Sequence, residues 1–67
     1  MNVNLGDKIR INYMKGEPQY AGKEGTITHI DDFQQLFGTW GGLAVVPDMD
    51  DFTIIKKGDA NVQSETN

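Results

Sequence analysis

At the centre of the sequence lies Gly22-Lys23-Glu24-Gly25-Thr26-Ile27-Thr28-His29-Ile30-Asp31, in which a glycine turn leads directly into an alternating strand. Gly22 and Gly25 can adopt positive φ without a steric penalty, so the chain can reverse sharply between them. Residues 26–30 are rich in β-branched side chains and alternate with period two, which predicts a β-strand. Asp31-Asp32 then favours a second turn, because short acidic side chains accept hydrogen bonds from nearby backbone amides.

A second alternating run, residues 8–14, precedes this stretch and predicts another half-buried strand. Ile9, Ile11 and Tyr13 fall on one face of this strand, and the two isoleucines are expected to be buried. The segment between this strand and Gly22 contains glycine and proline, and it is therefore predicted to be a loop. The solvent-facing side of the strand is expected to carry Lys8, Arg10, Asn12 and Met14.

Three short strands are predicted after the central one, with turn signals between them. Gly41-Gly42 is a strong hairpin signal, and Pro47 ends a strand because proline has no amide hydrogen for the ladder. Asp48 is expected to cap a single 3₁₀ turn that leads into the last strand. The three strands cover residues 34–40, 43–46 and 52–55. The predicted core consists of Ile9, Ile11, Ile27, Phe37, Val45, Phe52 and Ile54, with Trp40 covering one end.

Composition limits the class of protein. The chain has 67 residues and no cysteine, which allows one small domain and excludes a disulfide framework, a thiolate zinc site and a cysteine nucleophile. No apolar run reaches the roughly 20 residues that span a bilayer, and the N-terminus lacks the features of a secretory signal, so we expect a cytoplasmic protein without a membrane partner. The net charge of −4 disfavours generic nucleic-acid binding. Polar residues 58–67 predict a disordered tail after a domain at 1–57.

The order of these elements predicts an all-β fold, a small five-stranded barrel with one short 3₁₀ turn before the last strand, because closure removes exposed strand edges. This order resembles the SH3-like barrel. Gly6-Asp7-Lys8-Ile9-Arg10-Ile11, together with the glycine turn and strand that follow, resembles the opening of KOW-type barrels. Val46-Pro47 followed by Phe52-x-Ile54 resembles the 3₁₀ junction before the last strand of SH3-like domains.

Residues 4–55 also resemble one particular family, the domain of unknown function 4314 family of bacteria and their phages. The resemblance implies a barrel fold and a phage or mobile-element setting. It implies no catalytic residue, because the family has no established chemistry to carry over. The matching pieces are Leu5-Gly6-Asp7-Lys8-Ile9-Arg10, Tyr13-Met14, Gly25-Thr26-Ile27-Thr28-His29-Ile30-Asp31-Asp32, Trp40, Leu43-Ala44-Val45-Val46-Pro47 and Asp51-Phe52.

The sequence offers no convergent catalytic set. His29 is the only histidine, and the predicted domain has no serine to act with it, because Ser64 falls in the tail. Asp48-x-Asp50 lacks the glycine and the distal glutamate of a calcium loop. The acidic residues are expected to form turns, to keep the protein soluble or to imitate the charge of nucleic acid. We therefore expect a non-enzymatic protein without a metal or another cofactor.

Two surfaces are candidates for binding. The first is a protein-contact surface made of Tyr13, Tyr20, Trp40 and Pro47, with Asp48, Asp50 and Asp51 at its rim. Such a module would bind an unidentified protein, for example a host defence or nucleic-acid-processing factor, or a second copy of itself. The alternative, ranked lower, is a KOW-like domain that binds nucleic acid or a nucleotide ligand. Its basic face would consist of Lys8, Arg10, Lys15 and Lys23.

Overall fold

The structure is a computed structural model that describes residues 3–58, and it confirms the all-β prediction. Four antiparallel strands form one sheet in the order β3-β2-β1-β4. The strands are β1 (Lys8–Tyr13), β2 (Glu24–Ile30), β3 (Leu36–Gly38) and β4 (Asp51–Lys56). Over the described residues, a 3₁₀ turn at Pro18–Tyr20 lies in the β1–β2 loop, and no helix is long and apolar enough to cross a membrane.

The sheet is open and has four strands where the sequence predicts five and a closed barrel. Segment 43–46 contributes only an isolated bridge, in which Val45 and Leu36 exchange two backbone hydrogen bonds of 2.8 Å. The pairing does not extend because β3 is three residues long and Gly41 and Gly42 leave the ladder with φ of 81° and 132°.

The 3₁₀ turn and the C-terminal tail are the two features that the sequence predicts at the end of the chain. The 3₁₀ turn predicted before the last strand is a hydrogen-bonded turn at residues 47–49, and the 3₁₀ segment lies in the β1–β2 loop instead. The predicted tail lies outside the described residues except for Gly58, which is buried. Gly58 packs against Gly6 so closely that a Cβ on it would lie 2.8 Å from the Gly6 carbonyl carbon.

A β-bulge at the end of β1 breaks the predicted alternation and buries Met14. Ile11 pairs with Phe52, but the next pair joins Tyr13 to Asp51, so β1 has one extra residue there. The strict alternation therefore fails after Ile11. Met14, expected to face solvent, is 3% exposed, whereas Tyr13, which alternation places on the face of Ile9 and Ile11, is 53% exposed.

The core lies on one face of the sheet and is closed by the 43–46 segment. Ile9, Ile11, Ile27 and Val45 are buried as predicted, together with Met14, Leu36 and Trp40, while Phe52 and Ile54 are partly buried. Phe37 was wrongly assigned to the core, because β3 turns its other face inward. The Trp40 ring lies so close to Gly38 that a Cβ there would overlap it, and this packing fixes which face of β3 is buried.

Candidate functional site: the Phe33 groove

A surface groove of about 390 Å³ lies between the β2–β3 loop and the turn that precedes β4. This volume falls within the range of about 300–1,000 Å³ that is typical of ligand pockets. Six of the eight residues that line it are apolar, and the single charged side chain among them is that of Asp48. We call this feature the Phe33 groove, and it is lined by Val3, Ile30, Phe33, Gln34, Leu36, Val46, Pro47 and Asp48.

One wall of the groove is the β2–β3 loop, which presents Phe33 to solvent with 79% of the residue exposed. The loop is tied down by Asp31, whose Oδ1 accepts the backbone N–H of Phe33 at 2.9 Å and that of Gln35 at 2.8 Å. The backbone N–H of Gln34 also donates to the Asp31 carbonyl at 3.0 Å. These local bonds confirm the turn predicted at Asp31-Asp32, and they hold the phenylalanine outside the core.

Gln34 has a left-handed backbone conformation, with φ of 66°. It is the one non-glycine residue with positive φ among residues 3–58. Such a conformation costs an ordinary side chain about 1–2 kcal/mol. The Asp31 hydrogen bonds maintain this conformation, so the loop keeps a strained shape that leaves Phe33 exposed.

The opposite wall is the turn that contains Pro47 and Asp48. Asp50 holds this turn, because its Oδ2 accepts the Val46 N–H at 2.8 Å and its own N–H donates to the Val46 carbonyl at 2.8 Å. Its Oδ1 accepts the Lys15 N–H at 3.0 Å, which joins the turn to the β1–β2 loop. The capping carboxylate is therefore that of Asp50, where the sequence predicts Asp48.

The Asp48 carboxylate is exposed, and it makes no hydrogen bond or ion pair within residues 3–58. Asp32, in the loop that carries Phe33, is likewise exposed and lacks such a bond in the same residues. The groove thus combines mainly apolar lining residues with the exposed carboxylate of Asp48, and a second exposed carboxylate, that of Asp32, lies in the loop that carries Phe33. This combination fits a partner that presents an apolar side chain next to a cation.

The residues of the predicted protein-contact surface have different contacts in the structure. Pro47 and Asp48 line the groove, and Asp50 supports its wall. Tyr13 and Asp51 pair at the junction of β1 and β4, away from the groove lining. The other two predicted contact residues, Tyr20 and Trp40, do not line the groove and contact the turn after β3.

Tyr20 and Trp40 fasten the turn that follows β3. Trp40 is 5% exposed, and its Nε1–H donates to the Leu43 carbonyl at 2.8 Å. The Tyr20 hydroxyl accepts the Leu43 N–H at 3.1 Å and lies 3.5 Å from the Gly41 carbonyl, to which it donates. A Cβ on Gly42 would overlap that hydroxyl, so the turn needs glycine there. These two aromatic residues have a structural role in this arrangement.

The predicted basic residues occupy the polar face of the sheet and the β1–β2 loop. Lys8 and Arg10 are exposed on β1, and the Lys8 Nζ lies 3.9 Å from a Glu24 carboxylate oxygen. The Lys23 Nζ lies 5.9 Å from the centre of the Tyr20 ring, in cation–π geometry. Lys15 is exposed in the turn after β1. The lysines are therefore spread along the surface rather than gathered in one cleft.

The histidine and the acidic residues are the side chains considered as chemical groups. His29 is exposed on β2, and its ring lies 5.5 Å from that of Phe37 at an interplanar angle of 49°. Within residues 3–58 there is no cluster of three or more His, Asp or Glu side chains that could hold a metal ion.

Asp7 is a buried charged residue that no sequence pattern marks as important. Asp7 is fully buried, and its carboxylate accepts hydrogen bonds from the Lys57 Nζ, the Gly58 N–H and the Asn4 N–H at 2.8, 2.8 and 2.9 Å. Burial alone raises the pKa of Asp7, but these hydrogen bonds and the Lys57 charge outweigh it and hold the pKa below its usual 3.8. Asp7 thereby fastens both ends of the described chain, including the segment that brings Val3 to the groove.

Phe33 was also missed, although the sequence contains a signal for it. A large aromatic residue directly after Asp31-Asp32 falls inside a predicted turn rather than on a strand face. An aromatic residue in a turn has no assigned place in the core, and this is a reason to test it as a contact residue.

Comparison of the chain with protein-family models, with curated protein sequences and with solved structures found no match in any of the three.

Proposed function

We propose that this protein is a small, non-enzymatic binding module that acts through protein–protein contacts at the Phe33 groove. The observation that carries this proposal is the exposure of Phe33, at 79%, on a loop that hydrogen bonds hold in place. Aromatic side chains are enriched at the centre of protein interfaces, where a few anchors supply most of the binding energy. A fixed loop also lowers the entropy lost on binding.

The resemblance to the domain of unknown function 4314 family supports a more specific form of the proposal. In that form, the protein is an accessory protein of a phage or mobile element that modulates a host factor, such as a defence or nucleic-acid-processing protein. The assignment to small SH3-like barrels is part of the same proposal. It is supported by the bridge between Leu36 and Val45 and by the turn before β4.

The test is a comparison of matched variants in a binding assay. Wild-type protein, Phe33→Ala and Leu43→Ala would be immobilised and incubated with a nuclease-treated bacterial lysate, and retained proteins would be identified by mass spectrometry. Leu43 is the control because it is an apolar residue that is 50% exposed and lies outside the groove lining. The proposal predicts a protein that wild type and Leu43→Ala retain and Phe33→Ala loses.

A third variant separates the groove from the surface predicted by the sequence. Tyr13→Ala removes another exposed aromatic residue, at the junction of β1 and β4. If Tyr13→Ala abolished retention and Phe33→Ala did not, the contact surface would lie at that junction and the groove assignment would be wrong.

Nucleic-acid or nucleotide binding is the second candidate, and one observation favours it. Lys8 and Lys56 are directly paired across β1 and β4, and Arg10 lies on the same exposed face. These three cations on one face can attract phosphate groups, although a Glu24 carboxylate oxygen already lies 3.9 Å from the Lys8 Nζ. Binding of a labelled oligonucleotide that weakens steeply as salt rises, and weakens further in Lys8→Ala, would support this candidate.

A further inference from the structure

The two edges of the sheet differ in how they are covered. At one edge, Leu36 of β3 pairs with Val45. At the other edge, β4 pairs only with β1, and its backbone makes no hydrogen bond to another segment within residues 3–58. A strand of six residues therefore presents unpaired backbone donors and acceptors on its outer side, which is a template for another strand.

The side chains of β4 carry opposite charges at its two ends, on the same face of the sheet. Asp51 lies on the polar face, because its Oδ2 accepts a hydrogen bond from the Asn12 amide at 2.9 Å. A register shift lies between the pairs Ile9–Ile54 and Lys8–Lys56, so β4 has one extra residue there, Ile55. This bulge brings Lys56 opposite Lys8 and so onto the polar face.

This pattern is complementary to itself. When two copies of β4 run antiparallel about a two-fold axis at Thr53, Phe52 of one copy faces Ile54 of the other. If Ile55 is left out of the pairing between the two copies, as it is in the pairing with β1, Asp51 faces Lys56 of the second copy. The symmetry creates this opposite-charge pair twice, whereas parallel pairing would place Asp51 against Asp51.

We infer that β4 is a self-association edge, at which a second copy of this chain adds its own β4 antiparallel to form a continuous eight-stranded sheet. The inference concerns a surface separate from the Phe33 groove. Charged residues and bulges on edge strands usually prevent pairing between copies. Here the charges attract an identical antiparallel strand, because each strand has one acid and one base at opposite ends. A pairing of six residues per strand is smaller than the standard interface of about 1,600 Å², so the association is expected to be weak and dependent on salt.

The test is sedimentation equilibrium from micromolar to millimolar protein concentration at low salt. Wild type should show a monomer–dimer equilibrium, and Asp51→Lys and Lys56→Glu should each weaken it about tenfold or more, which corresponds to about 1.4 kcal/mol. The Lys56 side chain makes no hydrogen bond or ion pair within residues 3–58, so Lys56→Glu leaves the bonds of the fold intact. Circular dichroism would verify the folding of each variant.

Charge reversal on both sides provides the decisive result. An equimolar mixture of Asp51→Lys and Lys56→Glu chains should recover association as a heterodimer. In that dimer the two substituted positions face each other, and the unchanged Asp51 of one chain faces the unchanged Lys56 of the other. Both pairs therefore join opposite charges. Phe33→Ala should associate as wild type does, because the groove is not part of this edge. A wild-type chain that stays monomeric at all concentrations would overturn the inference. So would a folded Lys56→Glu variant that associates as wild type does, or a mixture that fails to associate. A Phe33→Ala variant that loses association would also overturn it.

Discussion

Two turns of this protein each carry a large aromatic side chain, and they use it in opposite ways. In the turn after β3, Trp40 is 5% exposed, and its indole N–H is bonded to the Leu43 carbonyl. In the loop after β2, Phe33 is 79% exposed, and its backbone N–H donates to the Asp31 carboxylate. Hydrogen bonds fix both turns, but only the Trp40 ring packs in the core, whereas the Phe33 ring is exposed.

The difference indicates what each turn contributes. A domain of 67 residues has a small core, and a large apolar side chain left out of it gives up stability that the domain can hardly spare. Trp40 supplies that stability, since its ring packs over Gly38 and its backbone N closely approaches Gly25. Phe33 adds little to the core, and its exposure supports the proposal that it binds a partner.

The largest expected effect is that of Trp40→Ala. Truncating a buried tryptophan costs about 3–5 kcal/mol, which is comparable with the whole stability of a domain of this size. We expect the variant to be largely unfolded at 25 °C, as measured by circular dichroism and urea denaturation. Trp40→Phe keeps most of the packing but loses the indole N–H, and it should cost about 1–2 kcal/mol. A Trp40→Ala chain with near-native stability would contradict the structural role given to this turn.

The second prediction concerns Asp7, which, like Trp40, is buried and hydrogen-bonded and is expected to stabilise the fold. Asp7→Asn removes the negative charge that accepts three hydrogen bonds, and it should lower the free energy of unfolding by about 2–3 kcal/mol at pH 7. The matched control is Asp48→Asn, whose carboxylate is exposed and makes no such bonds within residues 3–58. It should change stability by less than about 0.5 kcal/mol.

The same carboxylate predicts how stability depends on pH. The pKa of Asp7 is lower in the folded protein than its usual 3.8, so its contribution is fully present above about pH 4 and is lost as the pH falls through the folded-state value. Urea denaturation measured from pH 7 downward should show wild-type stability falling towards that of Asp7→Asn below about pH 4. Parallel curves for the two proteins across this range would show that the Asp7 charge does not stabilise the fold.

Much of the fold followed from the sequence because local patterns determine it. Alternation located β1 and β2, and the Asp31-Asp32 turn has the predicted side-chain hydrogen bonds. The failures arose where a single residue changes the register. The bulge near Tyr13 buries Met14, which alternation places on the solvent side, and no residue type in residues 8–14 indicates a bulge.

The candidate site was less predictable because it depends on contacts between distant segments. Pro47 and Asp48 were predicted as contact residues, and they do line the groove. Phe33 meets them only after β2 and the turn before β4 have packed around the core, which no local pattern encodes. Trp40 was placed in the same surface because aromatic residues favour both cores and interfaces, and composition alone does not separate the two uses.

The third prediction tests the strain in the loop that carries Phe33. Gln34→Gly relieves the cost of the positive φ, and it should raise the free energy of unfolding by about 0.5 kcal/mol after the greater flexibility of glycine in the unfolded chain is subtracted. Gln35→Gly is the matched control, since Gln35 has no positive φ, and it should lower stability by about 0.5–1 kcal/mol. Equal effects of the two substitutions in urea denaturation would mean that Gln34 is not strained.

The smallest effect on stability is expected from Phe33→Ala, and it gives the comparison its sharpest test. The side chain is mostly exposed, so its removal should change the free energy of unfolding by no more than about 0.5 kcal/mol, against about 3–5 kcal/mol for Trp40→Ala. Urea denaturation of the two variants measures this contrast without any knowledge of the partner. A loss of 2 kcal/mol or more in Phe33→Ala, on the scale of about 2–5 kcal/mol for buried apolar residues, would show that Phe33 packs in the core in solution. The two turns would then serve the same purpose, and the groove would lose the residue on which its proposed function rests.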